Sequence, residues 1–279
     1  MSFPREPGKF YRMPVFFGPN PCPRWTPNGV PQDFAREPVR STLGVRYLSD
    51  RAALEQVLPE GFSVWGDPIV TVEAIYMTGF SWLAGGGYNM FDVKIPAVYA
   101  STTEGDVHGT LLMARWESLS DPISTGREEL GHNKLFCDIP EVSNFNGRHH
   151  TTMSWRGFPF AKIWAEGLTE QEPPTGNPEN RGLLSWKYIP ATPRPGKKWG
   201  EEADANYATL TPPAWSGVTT TRYLAGSGAV EWARPTFEQL PTQYTIVNGF
   251  ASFPIVEQRG AYLFNMLGGA SGDDTYRLD

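Results

Sequence analysis

IVTVEAIYMTGFSWL, residues 69–83, is a run of β-branched, aliphatic and aromatic residues interrupted by a single carboxylate. With the two-residue period of a strand, Glu73 shares a face with Ile69, Thr71, Ile75 and Met77, while Val70, Val72, Ala74 and Tyr76 take the other. Both faces are mostly apolar. An ionised Glu73 is therefore costly unless it leaves at a sheet edge, meets a cation or hydrogen-bond network, or takes up a proton.

The same strand chemistry recurs on both sides of this run. VRSTLGVRYL (39–48), VKIPAVYASTT (93–103), VHGTLLMARWESL (107–119), HHTTMSWRGFPFAKIWAEGL (149–168), RGLLSWKYIP (181–190), SGVTTTRYLAG (216–226) and GAYLFNML (260–267) are rich in β-branched and aromatic residues. Most are bounded by Gly, Pro, Asn or Asp. Helical signals are confined to SDRAALEQVLP (49–59), where Ser49 and Asp50 can cap and Pro59 stops, and to 120–136 and 237–250. The expected fold is α+β and predominantly antiparallel β. Open edges are a liability in so strand-rich a chain, so a closed barrel or cone with a few outer helices is expected. No composition break divides residues 1–279, which read as one domain preceded by an extended arm over 1–38.

Composition excludes several function classes. A formal charge of −6 with scattered Lys and Arg argues against a nucleic-acid surface and a polybasic membrane anchor. The most apolar run, 69–87, contains Glu73 and ends in glycines, so no membrane span is expected. The amino terminus lacks an apolar signal core, and Cys22 and Cys137 suit two reduced thiols, so the expected location is cytoplasmic. His149 and His150 are adjacent on a strand and face opposite sides, and no H-E-x-x-H or paired C-x-x-C occurs, so no metal is expected.

Lys134 stands between Asn133 and the apolar pair Leu135–Phe136. An ordinary lysine, with a pKa near about 10.4, is almost wholly protonated at neutrality; apolar surroundings or a second cation lower that value. A lysine placed here either snorkels to solvent or is a nucleophile. Arg40, at the entry of the first strand, is a solvated end residue unless it points into a cavity.

Arg40, Glu73 and the G-R-E of residues 126–128, with a lysine eight positions after its glycine, together resemble the acetoacetate decarboxylase superfamily. YLSDRAALEQVLPEGF (47–62) resembles its strand-to-helix segment, PIVTVE (68–73) ends on its buried acid, GREELGHNK (126–134) has the spacing to its Schiff-base lysine, and FASFPIVEQRGAYLFNML (250–267) resembles its carboxy-terminal segment. The resemblance implies a β-cone or double-barrel-like α+β fold, a homo-oligomer, no cofactor, and an iminium formed at Lys134. There are two departures. Leu135 replaces a second lysine that follows the reactive one, and Met90 falls where a further acid is expected. Desolvation, with help from Arg40 or Arg127, is then left to lower the pKa of Lys134.

The expected function is that of a carbon–carbon lyase acting on a small keto acid through an enamine, by decarboxylation or by aldol condensation with an aldehyde co-substrate followed by dehydration. Arg40, Met90 and Arg127 are expected to bind substrate. Glu73, with a raised pKa, would move protons, and Tyr262 resembles a phenolic donor of the superfamily's aldolase-dehydratase branch. Two alternatives stay open: acid–base isomerisation, cyclisation or hydration by Glu73 and Tyr262 without an imine, and a barrel that binds a small apolar acid without turnover.

Overall fold

The computed structural model describes residues 5–20, 22–23, 25–26, 28–213, 218–269 and 272–279. Among them the chain forms one 14-stranded sheet. In chain order the strands are β1 Val39–Leu48, β2 Phe62–Val64, β3 Ile69–Phe80, β4 Gly86–Ser101, β5 Gly105–Glu117, β6 Lys134–Phe136, β7 Ser143–Phe145, β8 Arg148–Trp155, β9 Phe158–Glu170, β10 Leu183–Pro190, β11 Ala203–Thr211, β12 Thr219–Trp232, β13 Glu257–Leu267 and β14 Tyr276–Arg277. The α-helices among the described residues are short, α1 Arg51–Glu55, α2 Ser120–Thr125 and α3 Tyr244–Ser252, and α2 runs on into a π-helical turn over Gly126–Leu130.

The hydrogen-bonded order is β14-β11-β10-β5-β4-β3-β1-β13-β12-β9-β8-β7, with β2 on the far end of β4 and β6 on β5. Pairing is antiparallel except where β10 and β6 join β5. The order does not return on itself, which corrects the expected closed barrel or cone: the sheet is open. Its edges are guarded by brevity, since β14 has two residues and β7 three, too few to template another strand.

The predicted strands are present with shifted bounds. The 149–168 run divides into β8 and β9 because Arg156 and Gly157 both adopt positive φ, the backbone of a tight hairpin turn. The strand expected from 216 begins at Thr219; its first two positions lie outside the described residues. Asp50 caps α1, accepting from the Ala53 N–H at 2.8 Å. The helix expected over 120–136 ends near Leu130, and Lys134 starts a strand instead.

The two faces read from residues 69–83 have different fates. Val70, Val72, Ala74 and Tyr76 join Leu43, Val45, Phe91, Val93, Ala114 and Trp116 in the main core, beneath α3. Trp116, fully buried, donates its indole N–H to Gln243 at 2.6 Å, and Gln243 donates to the Phe136 carbonyl at 3.0 Å, tying the edge of β6 to that core. The opposite face, carrying Glu73, Ile75 and Met77, turns toward a cavity. The arm helps wall this cavity: Gln32, Phe34 and Pro38 line it, and Arg12 pairs with Glu129 beyond α2.

Candidate active site

The cavity has a volume of about 580 Å³, and β-sheet register lays out its floor. One row across the sheet runs Gly44 (β1), Glu73 (β3), Asp92 (β4), Arg115 (β5) and Lys134 (β6). The next runs Thr42, Ile75, Met90 and Glu117, and a third Arg40, Met77 and Tyr88. Directly paired residues share a face, so residues far apart in sequence project to the same side.

Lys134 is 5% exposed, and its Nζ lies 2.8 Å from Glu117 Oε1 and donates to the Pro122 carbonyl at 2.7 Å. Its side chain lies against Gly126, where a Cβ would stand 2.3 Å from Lys134 Cε. Gly126 has ordinary helical φ of −66°, so the glycine serves the lysine and not the backbone. Burial pushes the Lys134 pKa below the ordinary lysine range, with Arg115 pushing the same way and Glu117 opposing. Burial raises that of Glu117 against the pull of Lys134 and Arg115. Both shifts favour passing the proton from ammonium to carboxylate.

Charge counting agrees. Arg40, Lys94, Arg115 and Lys134 are four cations lining the cavity, and Glu73, Asp92 and Glu117 are the three carboxylates that act on them; Glu129 also lines it but is paired with Arg12, outside this set. In a low-dielectric site this set becomes neutral on losing one proton, and the amine of Lys134 is the group with a lowered pKa from which to lose it. His132, also lining the cavity, is held neutral: burial and the Arg115 and Lys134 charges take its pKa well below the usual histidine value.

Glu73 departs from expectation. Burial would raise its pKa, but Lys94, Arg40 and the Tyr262 hydroxyl outweigh this and hold it below the usual carboxylate range. Lys94 and Tyr262 both donate to it, and neither Glu73 nor Tyr262 lines the cavity. Tyr262 reaches Glu73 by lying across β1 at Gly44, where a Cβ would come within 2.2 Å of its ring. Glu73 is thus an ionised anchor for Lys94, and Tyr262 a donor committed to Glu73.

Asp92 anchors Arg115 in the same way through two 2.7 Å bonds; burial raises its pKa, and the Arg115 interactions more than reverse this. Arg127 is exposed, does not line the cavity, and donates to the Lys134 backbone carbonyl at 2.9 Å. It steadies the strand that carries the lysine, and lies outside the cavity in which it was expected to bind substrate. Arg40 and Met90 do line the cavity. Among the described residues Arg40 has no carboxylate within ion-pair distance; its side-chain contacts are Thr42 Oγ1 at 3.3 Å and the Phe264 ring.

Arg40, Met90 and Lys134 are therefore brought to one cavity, with Glu73 behind Lys94. Sequence reading missed Glu117, Asp92, Lys94, Arg115 and Tyr88. A signal existed: β4 and β5 each carry an opposite-charge pair two residues apart, Asp92/Lys94 and Arg115/Glu117, within mostly apolar stretches. Like Glu73, such groups must find partners within the sheet.

Comparison with known proteins agrees with this architecture. A family model described as acetoacetate decarboxylase (ADC) matches residues 12–268. None of the curated proteins matches the chain in sequence. Among solved structures, the enduracididine biosynthesis enzyme MppR, complexed with the condensation product of pyruvate and imidazole 4-carboxaldehyde, superposes with a TM-score of 0.65 at 15% identity, covering 99% of each chain. Acetoacetate decarboxylase from Legionella pneumophila gives 0.61 at 17% identity over 84% of this chain and 85% of its own. An acetoacetate decarboxylase-like enzyme from Sphingomonas wittichii gives 0.58 at 17% identity, over 88% of this chain and 94% of its own. At these identities the likeness is one of fold.

Proposed function

We propose that this chain, which belongs to the acetoacetate decarboxylase family, is a lyase-type enzyme that binds a keto acid covalently through Lys134. What supports this reading most is the placement of Lys134 Nζ, buried at a cavity wall beside a carboxylate that can take its proton. The amine passes a proton to Glu117 and attacks the ketone carbon. Glu117 returns the proton to the departing hydroxyl, water leaves, and the iminium cation rests against the Glu117 carboxylate.

The iminium is an electron sink. An α-proton lost to the same carboxylate gives an enamine; loss of CO2 from a β-keto acid gives one as well. Arg40, whose planar fork has no carboxylate within ion-pair distance among the described residues, suits the substrate's carboxylate. A retained carboxylate favours aldol-type condensation over decarboxylation. The enamine carbon bonds an aldehyde carbon, the new alkoxide takes the proton from Glu117, dehydration follows, and hydrolysis frees the amine. MppR is seen with pyruvate and with a pyruvate condensation product, which makes pyruvate the first keto acid to test.

Product analysis tests the reading. Incubation with pyruvate and a panel of aldehydes should give unsaturated keto acids, and none should form with Lys134→Arg. CO2 release from β-keto acids without condensation would favour the decarboxylase route. Neither product from any substrate in either panel would count against the proposal.

A further inference from the structure

Beyond the charged rows, the cavity has a wall of different chemistry. Ile75, Met77, Phe80 and Met90 form a buried apolar cluster separate from the main core, and Trp82 and Tyr88 pack on it while remaining partly exposed. Tyr88 stacks on Phe80 at 5.4 Å with an 18° interplanar angle, and Trp82 approaches both rings at 5.8 and 6.3 Å. Met77, Phe80, Trp82, Tyr88 and Met90 all line the cavity. A satellite cluster whose rings line a cavity is what an apolar ligand group fills.

Register fixes where this lobe lies relative to the reacting amine. Met90 is paired with Glu117, whose carboxylate touches Lys134 Nζ, and Tyr88 is the next residue of β4 on that face, about 7 Å further along the strand. Arg40 lies across β3 from Tyr88, through Met77. A molecule with its carbonyl at Lys134 and its carboxylate at Arg40 would thus direct whatever extends from the carbonyl carbon past Met90 onto the rings.

From these placements we infer that the substrate carries a flat apolar ring, aromatic or similar, within a few bonds of the reacting carbonyl, and that Met77, Phe80, Trp82, Tyr88 and Met90 select it. This deepens the reading of Lys134 as the reacting amine and rests on it for the orientation of the substrate. The mostly apolar wall, whose polar atoms are the Tyr88 hydroxyl and the Trp82 indole N–H, disfavours a second carboxylate or a sugar-like chain at this end, because either would lose more hydration than those two groups replace.

Binding of unreactive acids separates this inference from the covalent chemistry. Calorimetry on the full chain should show phenylpropanoate binding about tenfold or more tighter than propanoate, the gain from taking a ring out of water. Trp82→Ala and Met90→Glu should each bring that ratio toward one. The partly exposed Trp82 keeps the test available should Met90→Glu fail to fold. Equal binding of the two acids, or a ratio that neither substitution moves, overturns the inference. Borohydride reduction with pyruvate and with phenylpyruvate then distinguishes the two failures. An adduct with pyruvate but no aryl preference in binding removes the lobe and leaves Lys134 reactive. An aryl preference with no adduct from either keto acid supports the lobe and removes the covalent reading.

Discussion

Glu117 Oε1 lies 2.8 Å from Lys134 Nζ, and both side chains are buried. The pair joins β5 to β6 and brings to one point a carboxylate whose pKa is raised and an amine whose pKa is lowered. Glu117 acts on the pKa of the lysine and, in the proposed chemistry, also on its proton traffic. Glu117→Gln removes the charge that holds the lysine pKa up, so the alkaline-rising limb of kcat/KM against pH should move to lower pH. The maximal rate should nevertheless fall by about 10²–10⁴-fold, because the proton partner is gone. A pH–rate profile checks both signs at once.

Stability should carry the same signature. Unfolded Lys134 titrates near about 10.4 and its folded value is lower, so the unfolded chain binds more protons between the two and stability rises with pH across that window. Glu117, about 4.3 when unfolded and raised when folded, contributes stability that is complete below about 4.3 and lost as pH rises through its folded value. Denaturant unfolding followed against pH should show both limbs. Glu117→Gln should abolish the acid one, and Lys134→Met the alkaline one.

The pair's burial also sets the cost of breaking it. Either single substitution leaves one charged or polar group without its partner and should destabilise by about 3–5 kcal/mol when the remaining group stays charged. The double variant Lys134→Met/Glu117→Gln should be less destabilised than the sum of the singles, since neither charge remains. Chemical denaturation of the four proteins measures the coupling.

Gly126 and Gly44 make room for the side chains of Lys134 and Tyr262. In Gly126→Ala the new methyl would stand 2.3 Å from Lys134 Cε, displacing the amine while leaving its chemistry intact; trapping of keto acids should fall sharply with the fold retained. Gly44→Ala would collide with the Tyr262 ring and should cost about 1–3 kcal/mol of stability. Tyr262→Phe should cost a similar amount by taking a hydrogen bond from buried Glu73, yet still form the Lys134 adduct, because Tyr262 lies outside the cavity.

Arg40→Met removes the cation proposed to hold the substrate carboxylate. A charged hydrogen-bonded contact contributes about 1.5–3 kcal/mol, so KM for keto acids should rise by roughly 10–100-fold while simple ketones are little affected. Steady-state kinetics on paired acid and ketone substrates reads the difference.

What could be read from sequence had a local signature. The alternation over 69–83 assigned the faces of β3, and the resemblance carried by GREELGHNK pointed to Lys134, because each is contained within one short segment. Glu117 was missed because its partner lies on a strand formed 17 residues later, joined to β5 by a parallel pairing that no hairpin signal announces. β11 was missed because ADANYATLT is poor in large β-branched residues; it earns its place by register between β10 and β14. Closure was over-read because edge protection has several solutions, and composition does not say whether a chain closes its sheet or shortens its last strands. The raised pKa expected of Glu73 is reversed for a related reason: burial was visible, but Lys94 and Arg40, which pull it down, lie on neighbouring strands.

The account depends on one nitrogen becoming a neutral nucleophile, and borohydride reduction in the presence of pyruvate followed by peptide mass spectrometry reads that nitrogen directly. A single reduced adduct on Lys134, absent from Lys134→Arg and weakened in Glu117→Gln, is the predicted result. An unmodified Lys134 peptide across the pH range where the folded protein is stable, or an adduct confined to other lysines, would contradict it.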